Sequence, residues 1–309
     1  MISSPRLVFI GSPDFSVPVL NALVRGYRLI GVVTQPDRPA GRGRELSTPP
    51  VKRAAQALGL PLIQPEKIRI PEAMTDLRAW APDLIVVAAF GQILRAELLA
   101  LPRYGCLNVH ASLLPRWRGA APVQAAVLAG DTQTGISIMK MDAGVDTGPL
   151  LSQRSLPIAA EDTAGTLLEK LAQLGADLLL ETLPDYLSGS ILPQPQPAEG
   201  ITYAPMVKKE DGRLDFTRPS VELARRVRAF QPWPGTWMPW RDSVLKILRV
   251  STGAAQAPPG ARTVYRGLPA VGTADGLLIF EEVQPAGRKA MQGKAFLAGV
   301  RDWATPASG

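Results

Sequence analysis

The sequence predicts an α/β protein: an open, Rossmann-like sheet followed by a small OB-like β-barrel domain. Three observations carry that expectation. Apolar runs of strand length alternate with segments of helical spacing over residues 6–187, the pattern of a sheet with helices packed on it. The run "PDLIVVAAF" (82–90) is apolar without period-two alternation, as in a parallel strand buried on both faces. Beyond residue 188 the composition turns to Pro, Gly and Gln, and then to short β-like runs broken by Gly and Pro.

The elements follow in order. "RLVFIG" (6–11) is a strand closed by Gly11, and "SVPVLNALVRG" (16–26) has helical spacing and stops at Gly26. "RLIGVVT" (28–34) is the next strand. "PPVKRAAQALG" (49–59) has Pro at its start and Gly59 at its end, the asymmetry that helix boundaries prefer. "LPLIQ" (60–64) is a short strand and "IPEAMTDLRAW" (70–80) a helix. After the 82–90 strand come a helix over "QILRAELLAL" (92–101), a strand running into a loop over "GCLNVHAS" (105–112), and a helix over "APVQAAVLAG" (121–130). "TGISIMKMD" (134–142) and "GPLLSQRSLPI" (148–158) can pair around the loop between them, and residues 163–189 form a long amphipathic helix. The expected division is a first domain over 1–189, a linker over 190–205 and a second domain over 206–309. The second domain opens with a helix, "SVELARRVRAF" (220–230), and the turn "PWPG", before "VLKILRVS", "LPAVGT" and "GLLIFEEVQ".

Composition narrows the function. The hydrophobic fraction is 46%, and no apolar run approaches the roughly 20 residues of a membrane span. The first fifteen residues lack a signal peptide's long apolar core. The single cysteine, Cys106, allows no intrachain disulfide, which favours the cytoplasm. Without a Cys/His cluster no metal site is expected. The net charge is +7, and residues 205–309 hold 16 Lys+Arg against 9 Asp+Glu, so the whole excess lies in the last third. A basic domain joined to a neutral one suits a polyanionic partner, and suits solubility equally.

Common nucleotide and hydrolase motifs are missing. The first strand-to-helix turn, "GSPDFSVP", is not G-x-G-x-x-G, "GRGRELSTPP" is not a phosphate loop, and no G-x-S-x-G elbow occurs. What remains is the only histidine of the chain, His110, two residues after Asn108 in "LNVH", and the downstream loop "MDAGVDTGP" with Asp142 and Asp146. Residues two apart on a strand share a face. An amide, an imidazole and a carboxylate can stabilise an oxyanion and move a proton, which suits acyl transfer to an incoming amine. A histidine at a strand end also serves as a structural hydrogen-bonding group, and a Gly-rich loop with Asp as a plain turn. Spacing alone leaves both readings open.

"NVHASLLPRWRGAAP" (108–122) with "MDAGVDTGP" (141–149) resembles the signature of the 10-formyltetrahydrofolate-dependent formyltransferases. The resemblance implies an active site of Asn108, His110 and Asp146. It implies a folate site along Ser112, Leu113, Leu114 and Pro115, with Asp142, and with Phe90 and Gln92 of "AAFGQIL" (88–94). Phe90 stands where the family often has tyrosine, a departure that drops a hydroxyl. Within the family the likeness is strongest to members that formylate initiator methionyl-tRNA. "GSPDFSVPVL" (11–20) resembles their first strand and turn, and "KKEDGRLDF" (208–216) and "VRAFQPWPG" (227–235) resemble the opening of their C-terminal domain. "TQPDRPAGRGRELSTPPVK" (34–52) resembles their inserted basic loop, which implies tRNA contacts from Arg38, Arg42 and Arg44. Lys208, Lys209, Arg225, Arg226 and Arg228 are the phosphate-contacting candidates of the second domain. Trp233, Trp237 and Trp240 stack on bases or pack in the core. The implied donor is 10-formyltetrahydrofolate, the implied acceptor initiator methionyl-tRNA and the implied state a monomer. Small-amine formyltransferases, a 10-formyltetrahydrofolate hydrolase and an inactive RNA-binding protein are the alternatives.

Overall fold

The computed structural model describes residues 5–40, 45–300 and 302–304. The chain divides into two compact units. One comprises Met1–Pro122, Gln133–Pro157 and Leu168–Ala204, the other Val123–Thr132, Ile158–Leu167 and Pro205–Gly309.

The elements begin with β1 (Arg6–Gly11), α1 (Ser16–Gly26), β2 (Arg28–Val33), β3 (Arg38–Ala40), β4 (Glu45–Ser47), α2 (Pro50–Ala57), β5 (Leu62–Ile63) and α3 (Pro71–Trp80). They continue with β6 (Leu84–Ala88), α4 (Ala96–Leu99), β7 (Cys106–His110), β8 (Arg118–Gly119), α5 (Pro122–Ala129), β9 (Gln133–Lys140), β10 (Leu150–Pro157), α6 (Ala164–Ser188) and β11 (Tyr203–Ala204). Seven strands form one sheet in the order β10-β9-β7-β6-β1-β2-β5. From β5 through β7 all neighbours are parallel, while β9 runs antiparallel to β7 and β10 antiparallel to β9. The chain builds outward from β1 to β2 and β5, then returns to lay β6 on the other side of β1. In such sheets ligands bind beyond the carboxyl ends of the strands around that reversal.

The apolar runs have the burial that their lack of alternation predicts. Val8 and Ile10 of β1 pack with Val33, Ile85, Val87, Phe90, Leu94 and Cys106 in one core cluster. Leu7 and Phe9, pointing to the opposite face, are fully buried too. Where β1 and β6 end, the backbones approach closely. A Cβ on Gly11 would stand 2.7 Å from the Ala88 carbonyl, so only glycine fits. Ser16, the first residue of α1, donates its Oγ–H to that same carbonyl at 2.6 Å.

Two segments differ from expectation. The helix predicted over 92–101 is reduced to the single turn α4. Gly91 takes φ +78°, and the Gln92 Oε1 accepts the Ile68 N–H at 2.7 Å, so these residues belong to a loop tied to its neighbour. The expected linker is bonded into the first unit: Gln194 and Leu150 exchange main-chain bonds, and β11 pairs in parallel with β8. Proline-rich composition hides this because every partner lies tens of residues away in sequence.

The other unit contains a single 3₁₀ turn (Lys209–Gly212), α7 (Ser220–Ala229), β12 (Thr236–Trp240), β13 (Ser243–Gly253), β14 (Arg262–Tyr265), β15 (Leu268–Gly272), β16 (Leu277–Pro285), β17 (Met291–Gln292) and α8 (Gly293–Ala298). The strands form an antiparallel sheet in the order β12-β13-β16-β15-β14, with β17 also on β16. Leu223 and Val227 of α7 and Phe296 of α8 join Leu245, Ile247, Leu278 and Phe280 in its core. Trp303 closes that core, edge-on to both Phe280 and Phe296, with its indole N–H donated to the Thr263 carbonyl. Among the described residues no helix is long and apolar enough to cross a membrane.

Cys106, at the start of β7, is 1% exposed, and burial pushes its thiol pKa up to about 12. The thiolate is the reactive form. The native chain is therefore expected to give no reaction with a disulfide reagent at pH 8, and one thiol per chain after unfolding in guanidinium. Rapid labelling of the native chain would contradict this burial.

Candidate active site

Three side chains meet at the carboxyl end of β7. Asn108 and His110 share a face of the strand, and both reach Asp146 in the loop after β9. The Asn108 amide nitrogen lies 3.4 Å from Asp146 Oδ1, and His110 Nδ1 lies 3.7 Å from the same oxygen. The second carboxylate oxygen, Oδ2, accepts the Gly119 N–H at 2.8 Å. On its other side the imidazole places Nε2 3.0 Å from the Trp117 carbonyl. A carbonyl only accepts, so Nε2 carries a proton, and Nδ1 is the nitrogen turned toward Asp146. His110 is 5% exposed.

The backbone around these groups is strained. Asp146 has φ +51° and Trp117 φ +62°, left-handed values that cost free energy for residues with a Cβ and gather at functional sites. Gly119 has φ +114°, and a Cβ there would meet the Ala204 carbonyl at 2.6 Å. Within the Asp146 loop, Asp142 is exposed and works inward: its Oδ1 accepts the Gly144 N–H at 3.0 Å and the Thr147 hydroxyl at 2.7 Å. It shapes the loop that carries Asp146.

The Ser112–Pro115 run lies beside His110 in sequence and is laced to the sheet. Ser112 is fully buried and donates Oγ–H to the Arg116 carbonyl at 2.6 Å. Ser137 Oγ donates to the Ser112 carbonyl at 2.7 Å and accepts the Leu114 N–H at 3.0 Å and the Gln153 amide at 2.8 Å. Leu114 is buried, whereas Leu113 and Pro115 are partly exposed. Phe90 is 4% exposed in the core cluster, and its carbonyl accepts the Gln35 amide at 2.9 Å. The Gln92 side chain is taken up by the 66–68 loop.

The basic candidates separate into two kinds. Arg38 opens the β3–β4 ladder and stands 3.7 Å from Glu66, both exposed, while Arg42 and Arg44 lie outside the described residues. The ladder's approach is fixed by a polar chain: Ser12 Oγ accepts the Gln35 N–H, and the Gln64 amide and Lys52 ammonium hold the Asp37 carboxyl below its ordinary pKa. In the other unit Lys208 and Lys209 are exposed. Arg226 donates twice to the Asp211 carbonyl and covers the Phe230 ring, and Arg228 donates to the Asp162 carbonyl at 2.9 Å. Burial draws both guanidinium pKa values down, and both groups serve the unit's own packing. Arg225 lies against Gly130. Trp240 packs edge-on to Phe296, and Trp233 is half exposed.

Sequence reasoning missed the Trp117 carbonyl, the Gly119 N–H, Ser137, Gln153 and Gln196. Main-chain groups leave no residue-type signature, and the three side chains sit in segments without a motif. Among the described residues no cluster of His, Cys, Asp and Glu could hold a metal ion.

Residues 5–183 match the family described as Formyl transferase, and residues 206–301 match Formyl transferase, C-terminal domain. The chain is 48% identical over 301 residues to "Methionyl-tRNA formyltransferase" of Myxococcus xanthus (strain DK1622), covering 96% of each chain. It is 50% identical over 300 residues to the protein of that name from Halorhodospira halophila (strain DSM 244 / SL1), again covering 96% of each. Among solved structures it shares its fold with WlaRD, a sugar 3N-formyl transferase crystallised with dTDP and 5-N-formyl-THF (TM-score 0.67, 16% identity, covering 93% of this chain and 99% of that one). An N-formyltransferase from Helicobacter canadensis, in complex with folinic acid and dTDP-3-aminofucose, aligns with TM-score 0.65 and 16% identity over 89% of this chain and 97% of that one.

Removing the Ser137 hydroxyl leaves the Leu114 N–H and the Ser112 carbonyl without their partner. Ser137→Ala is expected to lower unfolding stability by about 1–3 kcal/mol, read from the urea midpoint. An unchanged midpoint would mean that the run is not held by this hydroxyl.

Proposed function

The chain belongs to the formyl transferase family, and on that footing we propose that it transfers the formyl group of 10-formyltetrahydrofolate to the α-amine of methionine on initiator tRNA. The observation that carries this reading is the convergence of Asn108 and His110 on one carboxylate oxygen of Asp146. The near-full-length likeness to methionyl-tRNA formyltransferases supports the acceptor. The formyl-folate ligands of the solved relatives support a folate-type donor.

In the reaction the acceptor amine bonds to the formyl carbon, the bond from that carbon to the donor nitrogen breaks, and one proton passes from amine to leaving nitrogen. The protein's part is electrostatic and acid–base. An asparagine amide has two N–H donors. One of Asn108's is aimed at Asp146, and the other is available to the formyl oxygen as it gains charge. His110, protonated at Nε2 against Trp117, takes a second proton at Nδ1 beside Asp146 and becomes a cation next to that oxygen. Asp146 orients the imidazole, stabilises its charge and serves the proton's passage from the amine. No protein nucleophile is needed, because the amine brings its own lone pair.

The Ser112–Pro115 segment forms one wall for the folate, with Leu113 and Pro115 as its partly open surfaces. Phe90 and Gln92 act through the packing of the neighbouring loop, and Asp142 through the shape of its own. The exposed Arg38, together with Arg42 and Arg44, contacts the tRNA acceptor end, and Lys208 and Lys209 add contacts to phosphate. Arg225 is a weaker candidate of the same kind, whereas Arg226 and Arg228 act in packing. The enzyme works as a monomer in the cytoplasm.

Asn108→Ala and His110→Ala are each expected to lower turnover by about a hundredfold or more with the fold intact, read in a formylation assay on initiator methionyl-tRNA. Near-normal turnover in either variant would remove that residue from the chemistry. Elongator methionyl-tRNA, assayed alongside, is expected to be formylated poorly, and equal rates would sink the acceptor assignment.

Arg42→Ala is expected to raise KM for the tRNA while leaving KM for the folate within about twofold. The tRNA affinity should fall steeply between 50 and 200 mM salt, because bound phosphates release counterions. A flat salt response would leave the basic second unit without a role in binding.

A further inference from the structure

Gln196 stands in the Pro-rich segment after α6, 50 residues from Asp146 in sequence, yet its amide is part of the same constellation. Its Nε2 donates to the Asp146 carbonyl and to the Gly148 carbonyl, both at 2.8 Å. Its Oε1 accepts from Arg118 Nε at 3.1 Å and Nη2 at 2.7 Å. Arg118 is 7% exposed, so this guanidinium is sequestered with Gln196 as its hydrogen-bonding partner. The orientation of the amide is dictated: a guanidinium only donates and a carbonyl only accepts. Both N–H groups and both lone pairs of Gln196 are thereby engaged.

The same segment reaches the loop that receives His110. The Trp117 N–H is donated to Thr202 Oγ1, and the Arg118 N–H to the Thr202 carbonyl, both at 2.9 Å. Trp117 and Asp146, the two residues of left-handed backbone that frame the imidazole, are thus both anchored from residues 196–202. A strained backbone persists only where its surroundings over-determine it.

We propose that Gln196, backed by Arg118, is a positioning residue for the reaction: it clamps the Asp146 main chain so that the carboxylate meets Asn108 and His110. The proposal deepens the formyl-transfer reading and rests on it for its kinetic consequence. Gln196 touches no reacting atom. It acts by keeping the Asp146 loop in the geometry that the proton transfer needs.

The test compares Gln196→Glu, Gln196→Ala and, as a control on the same segment, Glu199→Ala, whose side chain is exposed. The Glu variant keeps an acceptor for Arg118 and loses both donors to the Asp146 loop. In both Gln196 variants kcat is expected to fall by about tenfold to a hundredfold, with KM for folate and tRNA within about twofold. Glu199→Ala should match the wild type. A second readout needs no turnover. The chain has one histidine, so a ¹⁵N–¹H spectrum of its imidazole reports His110 alone. The wild type should show a proton on Nε2, and Gln196→Glu should shift the imidazole signals while the core methyl spectrum stays in place. Wild-type kcat together with unmoved imidazole signals would overturn the proposal, and so would an equal loss in Glu199→Ala. Should the wild type formylate no tRNA, the imidazole spectra still decide the clamp, so its failure and that of the reaction assignment are told apart.

Discussion

The site depends on the Asp146 carboxylate and on the left-handed backbone that presents it. One oxygen faces Asn108 and His110, the other is fixed by the Gly119 N–H. If the loop relaxed to an ordinary turn, the carboxylate would turn away, and Asn108 and His110 would lose the oxygen they share. The strain at Asp146 and Trp117 is the cost of that presentation, and it is offset by the hydrogen bonds that Gly119 and Gln196 donate to Asp146 and that Thr202 accepts from the Trp117 N–H. The Asn108, His110 and Asp146 constellation is held by main-chain groups and by the Gln196 and Thr202 side chains around it.

The sheet supplies the rigid half of this arrangement. β7 lies between parallel β6 and antiparallel β9, with four of its five residues buried, so Asn108 and His110 project from a strand that has no room to shift register. The loops supply the other half and are tied back to the same strands. Ser137 and Gln153 of β9 and β10 hold the Ser112–Pro115 run through three carbonyl and N–H contacts. A polar site thus sits on an apolar platform, and the polar groups that would be costly to bury are paired with one another.

The basic unit illustrates a limit of reading charge as binding. Its net positive charge is real, but Arg226 and Arg228 are engaged by carbonyls of their own unit. Lys208 and Lys209 remain open to solvent. A long-range attraction for polyanions survives such internal use, since the field depends on total charge, whereas direct phosphate contacts fall to the side chains left exposed.

The sequence by itself determined the order of the main strands and helices in the first 190 residues, though not the short β3, β4 and β8, because apolar spacing is a local property and both-face burial writes itself as unbroken hydrophobic runs. It determined the pairing of 134–142 with 148–158, and it placed Asn108 and His110 on one face, because strand geometry has a period of two. The family resemblance chose Asp146 over Asp142, which spacing could not. Only the tertiary structure decided that α4 is a single turn, that Gln196 and Thr202 of the expected linker are bonded to the site, that Trp303 plugs the second core, and that Gln196 and Arg118 brace Asp146. Those features are contacts between residues 24 to 85 positions apart, many of them made through main-chain carbonyl and N–H groups. Every residue carries such groups alike, so no side-chain pattern announces where they meet.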